Sequence, residues 1–143
     1  MEKKANMKFL IKEIRSKTGE LHFQRYRILE TPWFNIYLHY IAKSDEDRDP
    51  HNHPWSFRSL ILRGGYAEWI WEGDETKLLV DRRVYRPGSV AVSLSQKLYH
   101  KIVLDKPTWT LVLTGRRHEK PWGYLTEDGF VDFETYRKRK NNV

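Results

Sequence analysis

His51-Asn52-His53 is the first group in this chain whose residue types and spacing can do chemistry. In an extended segment, residues two apart point to the same face, so the two imidazoles would converge on one point. Imidazole suits iron, zinc, copper and nickel, and a shared metal ion is the chemistry such a pair implies. Alone the pair is a weak signal, because histidines between Pro50 and Pro54 also serve as ordinary turn residues. Other signatures are missing: there is no phosphate-cradling GxxxxGK loop, no GxGxxG, no GxSxG and no HExxH. P-loop nucleotide hydrolysis, Rossmann redox chemistry and serine hydrolysis are thereby disfavoured.

The elements that must position these histidines are short and rich in aromatic and β-branched residues. Turn signals at Thr31-Pro32, Ser44–Pro50, Gly64-Gly65, Gly73-Asp74, Pro87-Gly88, Asp105–Pro107 and Gly115 separate them. The pattern predicts strands near 21–29, 33–42, 56–63, 66–72, 77–85, 90–94, 99–104 and 108–114. Short strands with turns about every ten residues argue for an all-β sandwich or barrel. Ahead of them, Met7, Leu10, Ile11 and Ile14 recur at helical spacing and Gly19 follows as a stop, which predicts an amphipathic helix over 6–17. A short terminal helix is expected over 131–140. The reading is one domain over 1–143, with a barrel at about 21–114 and a C-terminal extension at 115–143.

Downstream of the histidine pair come Pro87-Gly88, a strand over 89–94, a break at 95–97, and Tyr99-His100 opening another strand. With these in place the sequence resembles the cupin superfamily, a small double-stranded β-helix or jelly-roll barrel. That family's first motif runs His-x-His, then a glutamate, then a glycine, and His51, His53 and Gly64 or Gly65 stand at matching positions. Its second motif places a Pro-Gly turn and a strand before a lone histidine, matched by Pro87, Gly88 and His100. The resemblance covers roughly 34–114. More narrowly, HNHPWSFRSLILRGGYAE, RPGSV and a late LTG…WGY…DGFV look like a group of small cupin-like proteins found in bacterial and phage genomes.

The resemblance implies a metal held by His51, His53 and His100. The position of the family's glutamate ligand falls on Phe57 or Arg58, neither of which binds a cation. The resemblance then implies a three-histidine centre as in the thiol dioxygenase branch, a centre that recruits another carboxylate, or one that has lost its metal. Asp49 is restricted by Pro50. In a Gly64-Gly65 hairpin, Glu68 would pair near Ile61, roughly 26 Å along an extended strand from His53. The expected cofactor is a divalent ion, iron first, with zinc, nickel or manganese as alternatives. Three neutral ligands leave the ion its full positive charge and suit an anionic substrate.

Candidate groups around the centre are Arg58, Tyr99 and Glu68 for catalysis. Trp55, Phe57, Arg58, Ser59, Tyr66, Arg86 and His118 are the candidates for binding, with Arg116 and Arg117 as further anion contacts. The implied function is an oxygenase or related enzyme acting on a small polar or anionic molecule. The alternatives are a metal-free isomerase of the sugar-nucleotide type, with a histidine base and a tyrosine acid, and a non-catalytic protein that sequesters or senses a small ligand.

A net charge of +7 would ordinarily suggest nucleic acid. Residues 1–17 carry +4, however, and 134–143 carry +3, while 18–133 hold sixteen basic and sixteen acidic side chains. The excess sits at the two ends, which argues against nucleic acid as partner and leaves a small molecule and a second copy of the chain in a homodimer. With no cysteine, there are no disulfides or thiolate ligands, and a reducing cytoplasm is the expected compartment. No apolar run approaches a membrane span.

Overall fold

The computed structural model describes residues 9–44, 49–72, 78–93, 97–117 and 121–141. In chain order the strands are β1 (Leu10–Arg15), β2 (Leu21–Glu30), β3 (Asn35–Ile41), β4 (Trp55–Arg63), β5 (Tyr66–Glu72), β6 (Leu78–Tyr85), β7 (Val90–Ser93), β8 (Leu98–Leu104), β9 (Thr108–Arg117), β10 (Gly123–Thr126) and β11 (Gly129–Asp132). Helix α1 (Phe133–Asn141) follows. The all-β expectation holds, and the predicted strands from 21 to 114 are found as β2 to β9. The ends of two of them, Lys77 and Leu94, lie outside the described residues.

All pairing is antiparallel. One sheet has the order β1-β2-β3-β9-β4-β7, a second β6-β5-β8, and β10 pairs with β11. Segment 50–52 joins the last two. His51 exchanges backbone bonds with His100 at 3.0 and 2.7 Å, Asn52 N–H donates to Gly123 O at 3.0 Å, and Leu125 N–H to Pro50 O at 2.9 Å. The core lies between the facing sheets, where Ile61 and Ala91 of the first meet Tyr66, Tyr85, Ile102 and Leu104 of the second.

Two expectations are overturned. The described part of the predicted helix 6–17 is a strand, while residues 6–8 lie outside the described residues. Leu10 and Ile14 are four apart, a spacing that puts two residues on one face of a helix and also on one face of a strand. The free edge of β2 decides, pairing Ile14 with Phe23 and Lys12 with Arg25. Gly19, read as a helix stop, is the turn residue of this hairpin at φ +88°. The second correction concerns Gly64-Gly65. These residues lead from β4 in one sheet to β5 in the other, and a side chain at Gly64 would sit 2.5 Å from Pro107 O. Glu68 therefore pairs with Ile102 and Arg83, not near Ile61, and lies in the same sheet as His100, two residues from its partner Ile70.

The C-terminal helix is present at 133–141. Asp132 caps it, its carboxylate accepting from Thr135 N–H at 3.2 Å and from Thr135 Oγ1–H at 2.6 Å. Lys138, Arg139 and Lys140 in its last turn suit the helix dipole. The hairpin ahead of it was missed. Its Glu127-Asp128 turn, closed by Gly129 at φ +103° between Tyr124-Leu125-Thr126 and Phe130-Val131, leaves an Asp-Gly hairpin signal in the sequence. Among the described residues no helix is long and apolar enough to cross a membrane.

Candidate metal centre

His100 sits on the inner face of β8, buried, directly opposite Ile70 of β5. Its cross-strand bridge with His51 puts the two side chains on one face, and His51 and His53, two apart in extended chain, share that face. Asn52 between them turns the other way, its buried side-chain oxygen accepting from Gly123 N–H at 2.8 Å. The three rings meet at centroid distances of 5.1 Å for His51–His53, 4.7 Å for His51–His100 and 4.8 Å for His53–His100. One nitrogen from each lies within 4.8 Å of the others.

The second sheet fixes the tautomer at His100. Its Nδ1–H donates to Glu68 Oε2 at 2.9 Å, and the Tyr85 hydroxyl donates to Glu68 Oε1 at 3.2 Å. Burial, and then the Glu68 charge, raise the Tyr85 pKa and keep that hydroxyl protonated. His100 Nε2 thereby carries the lone pair and accepts from His53 Nε2–H at 2.7 Å. Burial first, then the neighbouring His100, His51 and Arg25, push His53 well below the usual histidine range, so it is neutral. Neutral imidazoles oriented by a carboxylate behind one of them are the donor set that a divalent ion requires, and the three histidines fit such an ion.

The remaining candidates divide sharply. Phe57 packs on the centre, its ring 4.9 Å from His53 and 5.9 Å from His100. Trp55 is half-buried and carries two guanidinium groups over its ring, Arg25 at 5.6 Å and Arg117 at 5.8 Å. Glu68 stands behind His100 as a positioning residue and is not in the ligand group. Asp49, the other carboxylate considered, accepts from the Tyr136 hydroxyl at 3.2 Å.

Arg58 is exposed on the outer face of β4, one position off the inward row Phe57, Ser59 and Ile61, so it leaves the site. Tyr99, neighbour of His100 on β8, points away from it towards Phe130, at 6.3 Å between centroids. Ser59 and Tyr66 are buried, and Tyr66 packs against Tyr85 in the core. Arg86 is exposed at the Pro87-Gly88 turn, and His118 lies outside the described residues.

Sequence reasoning missed two parts of the wall. Arg25 donates from Nε to His39 Nε2 at 3.0 Å, on the inner faces of β2 and β3. Nothing local marks these residues; cross-strand register alone brings them together. The C-terminal extension supplies the other part. Trp122 and Tyr124 lie 6.3 and 6.0 Å from His51, backed by Phe133 and Tyr136 of α1 at 4.9 and 3.9 Å. Beside His100, a cavity of about 10 Å³ lined by Glu68, Ile70, Ser93 and Leu98 has room for about one water. A larger open groove of about 370 Å³, at Tyr40, Arg63, Lys106 and Trp109, lies at the far end of β4 from His53. Its lining holds no histidine, aspartate or glutamate.

No protein-family model and no curated protein matches the chain. Its fold is similar to several solved structures. One is Fe(II)-HppE with an alternative substrate, at 11% identity over 73% of this chain and 54% of that one, TM-score 0.54. Another is KdgF from Halomonas sp., at 19% identity over 78% and 96%, TM-score 0.54. A third is a putative mannose-6-phosphate isomerase from Ralstonia eutropha, at 17% identity over 66% and 84%, TM-score 0.54. This chain spans about half the length of HppE.

Proposed function

We propose that this chain, whose fold is that of the cupin superfamily, is a metal-dependent enzyme of the cytoplasm acting on a small anionic molecule at His51, His53 and His100. The observation that carries the reading is the trio of nitrogens within 4.8 Å, with His100 oriented by Glu68. A divalent ion held there by neutral ligands keeps its full positive charge and supplies Lewis acidity, or dioxygen activation where it is iron. Iron is the ion we favour, in keeping with the Fe(II) state of one structural neighbour.

The chain's own residues do the rest. Glu68 holds the Nδ1 proton of His100 and so keeps Nε2 available. Phe57, Trp122 and Tyr124 wall the histidines with aromatic rings and keep bulk water back. Arg25, on the sheet that faces His100, supplies positive charge near His53.

Elemental analysis of protein purified without a histidine tag tests the reading. About one metal per chain is expected in the wild type, lost in His51→Ala and in His100→Ala. A wild type that takes up none of iron, zinc, nickel or manganese overturns it. A second reading, the metal-free isomerase type, draws support from the same His100–Glu68 pair, since a carboxylate behind a histidine also orients a general base. Turnover that survives chelation would favour it.

A further inference from the structure

One row of residues crosses the first sheet: Lys12 of the edge strand β1, which stays exposed, then Arg25 of β2, His39 of β3 and Thr110 of β9 on the inner face, each directly opposite the next. Lys12 and Arg25 are thus a like-charge cross-strand pair, an arrangement that repels unless something negative lies between or beside the two. Among the described residues no carboxylate pairs with either. The Arg27 beside them is matched, its Nε 3.0 Å from Glu30.

Arg25 is also held in place. Its Nε is spent on His39, and its guanidinium lies 5.1 Å from the Tyr37 ring, 5.6 Å from Trp55 and 5.7 Å from Phe23. His39 is neutral, pushed down to about 3 by burial and by the charges of Arg25 and Lys12, so it accepts that bond without adding an anion. Burial, then Arg25, then Arg137 of α1 lower the Lys12 pKa, which places a third cation close by. The two terminal amino groups of Arg25 are left as a planar fork, the shape that grips an oxyacid through two parallel hydrogen bonds.

We propose that Arg25 and Lys12 form an anion subsite that takes the carboxylate or phosphate group of the substrate while its reacting end meets the three histidines. The proposal names the substrate class for the function above and rests on that reading for the word substrate, but the subsite itself does not need the metal. The aromatic rings and His39 are positioning groups: they fix the guanidinium plane and spend its third donor.

The test titrates inorganic phosphate and malonate, separately, into the protein as purified, at low ionic strength, with metal content measured on the same samples and the series repeated under chelation. Calorimetry of the wild type is expected to show one equivalent of one or both anions. Phosphate alone would mark a phosphoryl substrate and malonate alone a carboxylate. Arg25→Gln is expected to weaken binding by about tenfold or more, the worth of a charge-assisted bond. Lys12→Gln should weaken it several-fold, and Arg58→Gln on the outer face should leave it unchanged.

Arg25→Lys keeps the charge and loses the fork, so it should fall between Arg25→Gln and wild type, a gradation that a purely structural role would not give. Equal affinities in wild type, Lys12→Gln and Arg25→Lys, or binding of neither anion by the folded protein, would overturn the subsite. Persistence of Arg25-dependent binding under chelation separates the fate of the subsite from that of the metal.

Discussion

The two faces of the six-stranded sheet reverse the usual arrangement. On β9, Thr108, Thr110, Val112 and Thr114 point into the sandwich and are almost wholly buried, while Trp109, Leu111 and Leu113 point outward. On β3 the inward residues include Tyr37 and His39, and the outward ones are Ile36, Leu38 and Tyr40. The outer face continues over Leu62 of β4 and Val90 and Val92 of β7, all well exposed. An interior built for packing alone would carry the leucines, since buried hydroxyls and charges cost free energy unless matched. Thr110 and Thr114 have buried hydroxyls with no hydrogen-bond partner. Thr110 stands directly opposite Ile61 and Thr114 opposite Phe57 on β4, so buried hydroxyls alternate with apolar side chains across the inner face, and the apolar cluster gathers around Ile61 and Tyr66.

Adjacent residues of β4 give the largest test of that division. Ile61 is fully buried in the inter-sheet cluster, whereas Leu62 is 47% exposed on the outer face. Ile61→Ala should cost about 2–5 kcal/mol in urea unfolding, and Leu62→Ala less than about 1 kcal/mol. Similar losses would mean that the outer face is packed as firmly as the core. A homodimer, expected from the sequence, would cover that face. Sedimentation of wild type and Leu62→Glu decides: a dimer turned into a monomer puts the contact there, and a monomeric wild type removes the dimer.

The same division explains what the sequence made legible. Strands β2 to β9 stand out because each carries aromatic or β-branched residues between Pro and Gly breakers, and the His51, His53 and His100 set follows from motif order along those strands. Period-2 alternation says only that one face is apolar; it does not say that the apolar face is outside. Arg25 and His39 were invisible for that reason, because their meeting depends on register among β1, β2 and β3. Glu68 was misplaced because a Gly-Gly pair looks alike in a hairpin and in a crossing between sheets. The edge strand β1 read as a helix because only the free edge of β2 distinguishes the two.

A smaller effect isolates the inner face through pH. His39 has its pKa lowered from 6.5 to about 3 by burial, Arg25 and Lys12. The folded state keeps it neutral, so the unfolded state binds the extra proton as pH falls below 6.5. Stability should then drop on acidification by up to about 1.4 kcal/mol per pH unit from this residue, continuing towards pH 3. Urea unfolding at pH 7, 6 and 5, above most carboxylate titration, should show a shallower slope in His39→Phe than in wild type. Equal slopes would place His39 in contact with water.

The smallest expected effect probes the link between the apolar cluster and the three histidines. Tyr85 belongs to both: its ring packs 5.3 Å from Tyr66, and its hydroxyl donates to Glu68, the residue that orients His100. Tyr85→Phe keeps the ring and removes the donor, so it should cost about 1 kcal/mol of stability. Glu68 would still hold His100, and metal affinity should fall by less than the roughly 10–100-fold expected of Glu68→Gln, which weakens the orienting bond directly. If Tyr85→Phe weakens metal binding as much as Glu68→Gln does, the hydroxyl sets the position of the carboxylate, and the cluster and the histidines act as one unit. If it changes stability alone, the apolar cluster supports the fold and Glu68 suffices to orient His100.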